Sequence, residues 1–266
     1  MLKTKFFLSF VLFSIFAIVF TFSMSNAQDS KNSSKIIKET TNISLNIASS
    51  NYDIFYQKSN RNLPVVIVVH GFSRSKDNMS GWGSFLADHG YFVVVPNLPF
   101  WANHSKNAEF ISELINYIYS NSDYKSIINN DLALVGFSAG GLATLIATSE
   151  NTRVKLWIGL DPVDVGNLGS QAAKNINCPT YIIAASASAC NTNNNYKNFI
   201  TNLKENNLIK IDGAVHVDAE WPTSRFAELF CGRSTQQKRE RFHDDVLTIL
   251  DKSFKNESYI QNINKY

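Results

Sequence analysis

The sequence predicts an α/β protein: a mostly parallel, doubly wound sheet with flanking helices and an antiparallel hairpin at its N-terminal edge. Three observations carry this reading. Short, unbroken apolar runs recur along the chain, as they do in strands buried on both faces. Helical stretches separate the runs, which is the alternation of a doubly wound sheet. Ahead of them, Ile43–Ala48 alternates apolar and polar residues and Tyr52–Tyr56 is rich in aromatics, the pattern of an edge hairpin.

The runs are Val65–Val69, Phe92–Val95, Leu132–Val135, Leu156–Leu160 and Tyr181–Ala184, followed by the shorter Leu208–Ile211. Helices are expected at Gly83–His89, closed by Gly90, and at Ala108–Tyr119, where Phe110, Ile111, Leu114, Ile115 and Ile118 share one face. Three more are expected at Gly140–Thr148, Tyr196–Asn206 and Asp244–Phe254. There is no internal repeat, and only Asn193–Asn195 is low in complexity.

The N-terminus reads as a targeting segment. Lys3 and Lys5 precede the apolar stretch Phe6–Phe22, and Ser25-Asn26-Ala27 offers small residues for cleavage after Ala27. Residues 1–27 are therefore expected to be a signal peptide for a secreted or periplasmic protein, with an uncleaved anchor as the alternative. Residues 28–42 read as a flexible leader and 43–266 as a single domain. Cleavage would bring the formal charge from +3 to about +1. No basic stripe interleaved with aromatics is present, which argues against nucleic acid. The cluster Lys238-Arg239 with Arg241 reads as a solvated helix start. The sequons at Asn32, Asn42, Asn78, Asn103 and Asn256 carry little weight in so Asn-rich a chain.

Of the three cysteines, Cys178 precedes Pro179 at the start of an apolar run and is expected to be buried. Cys190 and Cys231 lie in polar segments, so an oxidising compartment would pair these two.

The chemistry centres on Gly136-Phe137-Ser138-Ala139-Gly140, set between the run Leu132–Val135 and a helix-forming stretch. Strand, tight Gly-x-Ser-x-Gly turn and helix together make a nucleophile elbow. The turn strains Ser138 and lifts its hydroxyl clear of the sheet. A serine nucleophile needs a base, an orienting acid and an oxyanion hole. The Ala139 amide is one oxyanion donor. His70-Gly71-Phe72 closes an earlier strand and offers the Phe72 amide as the second.

For the acid, Ala185-Ser186-Ala187-Ser188-Ala189-Cys190 holds no carboxylate, whereas Gly159-Leu160-Asp161-Pro162-Val163-Asp164 holds two. Asp161 leaves its strand directly and is the first choice; Asp164 is the fallback, or a turn-capping residue. For the base, His70 and His89 precede the nucleophile, and His70 is expected to brace its loop. His104 lies in a cover loop, and His243 is expected to start the last helix in solvent. His216, in the loop after Leu208–Ile211, suits a base. His216, Asp218 and Glu220 alternate as metal ligands can, yet no second ligand pair accompanies them.

These motifs resemble the α/β-hydrolase superfamily over roughly residues 43–255. They are most similar to its chlorophyllase-like and dienelactone-hydrolase-like serine esterases. The likeness rests on His70-Gly71-Phe72, on the elbow extended to Gly141, on Asp161-Pro162-Val163 and on His216-Val217-Asp218. Pancreatic-type lipases also carry their acid in a Gly-Leu-Asp-Pro segment, which favours Asp161. Plant chlorophyllases tend to flank the nucleophile with His and Arg, where this chain has Phe137 and Ala139, so chlorophyll is disfavoured as substrate.

The resemblance implies an α/β-hydrolase fold and a serine esterase with Ser138, Asp161 and His216 as its triad. It implies no metal or organic cofactor. Phe100, Trp101, Phe137 and Trp221, with Phe72, are expected to wall an apolar substrate pocket. Arg74 and Lys76 are expected on the surface rather than on a substrate carboxylate. Residues 99–107 read as a short cover, not a large lid, so a small ester with an apolar part is favoured over interfacial lipid. A monomer without stable membrane association after cleavage is expected. The same residues would also serve an acyltransferase or thioesterase, or a binding protein on a hydrolase scaffold.

Overall fold

The computed structural model describes residues 35–255; the expected signal peptide and the first part of the expected leader lie outside the described residues. The strands are β1 (Ile36–Ser44), β2 (Ser49–Gln57), β3 (Leu63–Val69), β4 (Phe92–Pro96), β5 (Ile128–Phe137), β6 (Leu156–Leu160), β7 (Thr180–Ala184) and β8 (Asn207–Lys210). They form one 8-stranded sheet in the order β1-β2-β4-β3-β5-β6-β7-β8. β1 pairs antiparallel with β2, and β2 with β4; the pairs from β4 through β8 are parallel.

Side chains alternate across a strand, and the central strands bury both sides. On β3, Val65, Ile67 and Val69 join one core cluster while Val66 and Val68 join the other. This is why the apolar runs are unbroken. The helices are α1 (Ser80–Asp88), α2 (His104–Ser120), α3 (Ser122–Lys125), α4 (Ala139–Glu150), α5 (Leu168–Ala173), α6 (Lys197–Ile200), α7 (Arg225–Cys231) and α8 (Gln236–Phe254). The first face is covered by α2, α4 and α5, through residues such as Phe110, Leu114, Leu145 and Ala172. The second is covered by α1 and α8, through Trp82, Leu86, Phe242 and Val246. Parallel strands release their loops at one edge, so the segments after β3, β5, β6, β7 and β8 share the carboxyl end of the sheet.

Helix α1 closes as its glycine suggests. Gly90 takes φ 84°, with Tyr91 N–H donating to Leu86 O at 3.2 Å and Gly90 N–H to Ala87 O at 3.0 Å, a Schellman pair.

Several expectations need correction. Residues 36–42 are strand, not leader: β1 pairs with β2 from Ile36↔Gln57 to Ser44↔Ser49. An edge strand with mostly exposed side chains carries no apolar alternation to read. It is held instead through polar contacts, Thr40 Oγ1 donating to Asp53 at 2.7 Å and Lys38 pairing with the same carboxylate at 3.3 Å.

The helix expected at 196–206 shrinks to α6. Thr192, Asn193 and Asn194 all adopt left-handed φ (48°, 55° and 59°), which asparagine tolerates, and the Thr201-Asn202 pair that follows is a poor helix former. α5 and α7 are too short to register as periodic.

α8 starts well before Asp244, at the Thr235 cap, whose side chain accepts from Lys238 N–H at 3.3 Å. His243 is therefore mid-helix and buried, stacked on Trp221 at 4.3 Å and edge-on to Trp82 at 4.6 Å. Among the described residues its Nε2 has no hydrogen-bond partner. Burial, reinforced by the Arg239 charge, pushes its pKa down to about 4.

A histidine neutral in the fold but protonated in the unfolded chain lowers stability as pH falls. The loss begins near the ordinary histidine pKa and continues toward the folded value. Stability should decline by up to about 3 kcal/mol from this site between pH ~6.5 and ~4. His243→Phe should flatten that decline without lowering the unfolding free energy at pH 8, because it removes an unpartnered buried nitrogen. Urea titrations of both proteins across this range test it; unchanged pH dependence in His243→Phe would contradict the assignment.

Candidate active site

The site begins where β5 meets α4. Ser138 stands between them with φ 53° and ψ −121°, outside the regions open to ordinary L-residues. Its amide donates to Leu160 O at 3.0 Å, and its carbonyl accepts from Gly141 N–H at 2.9 Å. The turn is tight enough that a Cβ on Gly136 would lie 2.5 Å from the Gly140 carbonyl oxygen. A Cβ on Gly140 would collide with the His70 carbonyl, so that glycine lets α4 approach the end of β3.

His216 opens a 3-10 turn (His216–Ala219) in the segment after β8. Its Nε2 lies 3.0 Å from Ser138 Oγ and its Nδ1 lies 2.6 Å from Asp161 Oδ2. A carboxylate can only accept, so Nδ1 carries the proton and Nε2 accepts from the serine hydroxyl. The ring rests on Phe137 at 4.7 Å between centroids. All three polar side chains are buried.

Asp161 follows β6 with φ 44°. Besides His216, it accepts from the Ala185 amide at 3.0 Å and from Asn191 Nδ2 at 3.0 Å. Asp164 points elsewhere. It accepts from Gly169 N–H at 2.8 Å at the start of α5, which is the capping alternative.

Asn191 was not singled out by the sequence. It is fully buried, donates also to Ser186 O at 2.9 Å, and accepts from Ser188 N–H at 2.8 Å and Asn194 N–H at 3.2 Å. The Ser188-x-x-Asn191 spacing of a turn cap was the one signal for it. Its neighbour Cys190 is bonded to Cys231, so the disulfide ties this turn to the end of α7. Cys178 is half-buried and free, and burial pushes its thiol up to about 11.

His70 braces its loop. Its Nδ1–H donates to Gly71 O at 2.8 Å, and its Nε2 accepts from Leu98 N–H at 3.0 Å. Burial holds its pKa below the ordinary value, in keeping with a neutral ring that donates once and accepts once. A Cβ on Gly71 would sit 3.1 Å from Ser138 Cβ, so this loop lies directly against the serine.

Phe72, Phe100, Trp101 and Ala139 line one small cavity of about 50 Å³ together with His104. Phe72 and Trp101 stack at 4.8 Å. Phe137 and Trp221 lie outside this cavity. Phe137 is buried beneath His216, and Trp221 packs on His243 and against Gly81. Phe137 is thus buried, whereas Trp221 is half-buried, and neither lines that cavity.

Arg74 and Lys76 face protein carboxylates. Arg74 pairs with the buried Glu220, and Lys76 with the buried Asp53 at 2.8 Å. Burial raises the Glu220 pKa while the Arg74 charge opposes it.

The alternating trio separates: His216 goes to Ser138 and Asp161, Glu220 to Arg74, and Asp218 to its own loop. Asp218 accepts from Val215 N–H at 2.7 Å, Ser234 Oγ at 2.8 Å and Thr235 N–H at 2.9 Å. It thus pins the His216 turn to the start of α8. Asp218→Ala strands these donors and should cost about 2–4 kcal/mol in urea-measured stability. A loss under about 0.5 kcal/mol, the range of an ordinary surface change, would show that water replaces the carboxylate.

Residues 34–245 match the family described as PETase: PET hydrolase-like. Cutinase 1 of Thermobifida cellulosilytica and Cutinase of Thermobifida fusca (strain YX) each align at 24% identity over 171 residues, 61% of this chain. The alignments span 64% and 56% of those proteins, less than two thirds of the curated relatives' length. Among solved structures, dienelactone hydrolase from Anabaena variabilis ATCC 29413 superposes with a TM-score of 0.62 at 14% identity. That match covers 82% of this chain and 97% of the other, and the shared architecture is the α/β-hydrolase fold. With the sequence match extending across both halves of the sheet and every loop of the site, the chain belongs to the PET hydrolase-like family.

Proposed function

We propose that the protein is a secreted serine hydrolase that cleaves carboxylic esters through an acyl-enzyme intermediate. The observation that carries this reading is the continuous chain from Ser138 Oγ through His216 to Asp161, at 3.0 and 2.6 Å, mounted on a strained elbow. Membership in a family named for an ester hydrolase, and relatives named cutinases, support the same reaction class.

Ser138 Oγ attacks the ester carbonyl as His216 Nε2 takes its proton. Asp161 holds Nδ1–H and stabilises the imidazolium. The Phe72 and Ala139 amides receive the oxyanion, at about 3 kcal/mol of transition-state stabilisation per donor. The tetrahedral intermediate collapses, the C–O bond breaks, and His216 returns its proton to the departing alcohol. Water, deprotonated by the same imidazole, then releases the acid and restores Ser138. The ring stack of Phe72 and Trp101 suits the apolar part of a substrate. Export is supported by the signal-peptide layout of residues 1–27 and by the Cys190–Cys231 bridge, a bond of oxidising compartments.

A fluorophosphonate probe should label the native protein, and Ser138→Ala should abolish both labelling and hydrolysis of p-nitrophenyl esters. Labelling that persists in Ser138→Ala, or native protein that neither labels nor hydrolyses, would reject the reading. Competing alcohols in the same assay report acyl transfer as ester product. Asp161→Asn should lower kcat by about 10⁴-fold, as loss of the orienting acid does in such triads, while Asp164→Asn leaves kcat within a few-fold. The reverse ranking would move the acid to Asp164. Asn191→Ala should lower kcat by about 10-fold or more with little change in KM, because it loosens Asp161 rather than a substrate contact. A change confined to KM would place Asn191 at the substrate instead.

A further inference from the structure

Helix α7 has no part in the chemistry above, yet it carries the most exposed apolar surface among the described residues. One side of this seven-residue helix buries Ala227 and ends at the disulfide-bonded Cys231. The other side is bare: Phe226 is 71% exposed, Leu229 77% and Phe230 68%. Their i, i+3, i+4 spacing makes one ridge, with the two phenylalanine rings 4.9 Å apart. Burying side chains of this kind is favourable, so a clustered, outward-facing set marks a surface that meets a partner.

The surrounding charge says which partner. Arg225 and Arg233 are exposed at the two ends of the ridge, and neither has an ion pair or hydrogen bond among the described residues. Glu228, the one acid on the helix, turns inward and accepts from Thr223 Oγ1 at 2.8 Å. The outward face of α7 is therefore apolar, with an exposed arginine just before and just after it in the chain and its own acid engaged. A second copy of this chain would set like charges against each other, and a neutral solid ester would leave the arginines without partners.

We propose that α7 docks the protein reversibly on an anionic phospholipid surface. Phe226, Leu229 and Phe230 enter the boundary between headgroups and acyl chains, and Arg225 and Arg233 meet the phosphates. The Cys190–Cys231 bridge fixes the ridge to the turn that bears Asn191, and Asn191 holds Asp161, so docking also orients the carboxyl end of the sheet. The stacked pair Phe72 and Trp101, the latter 74% exposed, stands at that same end. The absence of a large lid favours soluble esters from sequence alone; α7 gives contact with an interface without one. The inference rests on the ester-hydrolase reading for its purpose, and its measurement does not depend on it.

The test is co-sedimentation of the exported protein, carrying Ser138→Ala so that lipid stays intact, with phosphatidylcholine vesicles. These are used with and without about 30% phosphatidylglycerol. Partitioning onto the anionic vesicles should exceed that onto pure phosphatidylcholine by about 10-fold or more. F226S/L229S/F230S should reduce it to the neutral-vesicle level, and R225Q/R233Q should remove the anionic preference. These changes lie on exposed positions, so p-nitrophenyl acetate hydrolysis by the Ser138-intact counterparts should be unchanged. The proposal is overturned if the parent does not bind anionic vesicles or if F226S/L229S/F230S binds like the parent. It is also overturned by a ridge-dependent dimer in light scattering, or by ridge-dependent adsorption to a polyester film but not to vesicles. Vesicle binding that depends on α7 in a protein without esterase activity would uphold the docking surface and reject the ester reading alone.

Discussion

A carboxylate taken out of water must be met by donors, and Asp161 is met by three donors from two separate segments. His216 Nδ1–H, the Ala185 amide and Asn191 Nδ2 all converge on it. Leaving such a charge unpaired costs several kcal/mol, so the two donor segments and the end of β6 are held in register with one another. The ends of β6 and β7 and the turn after β8 thereby become one unit. The disulfide next to Asn191 and the Asp218 pin behind His216 extend that unit to α7 and α8. The geometry at Ser138 follows from it, because the imidazole has one orientation that satisfies Asp161.

The elbow depends on a second balance. A serine held at φ 53° carries about 1–3 kcal/mol of backbone strain, and the surrounding contacts must outweigh it. Here β5 runs between β3 and β6, α4 is buried along nearly its whole length, and the Ser138 amide is fixed to Leu160 O. The turn cannot relax without disturbing the centre of the sheet.

The parts most legible in the sequence were those with a short physical signature. Strands buried on both faces wrote unbroken runs such as Val65–Val69, and the elbow wrote two glycines around Ser138. Asp161 could be read because the segment after β7 contains no acid at all, and that same acid-free segment supplies the amide and the asparagine that hold Asp161. Long-range partners left no such mark. Asn191 is one asparagine among many, and Arg74 pairs across 146 positions with Glu220. β1 was hidden because an exposed edge strand needs no apolar alternation. The start of α8 was hidden by its polar first turns, although the Phe242-Val246-Ile249-Leu250 spacing continues its buried face. The stacking of Trp221 on His243 left no mark either, because the two are 22 positions apart and Trp221 lies outside the helix that carries His243.

The Arg74–Glu220 pair joins the loop after β3 to the loop after β8, one on each side of Ser138. Drawing the two loops apart would leave Glu220 charged, buried and alone. One buried ion pair thus acts as a tie-rod between two loops that are far apart in the chain, and the spacing between them is set by that single link.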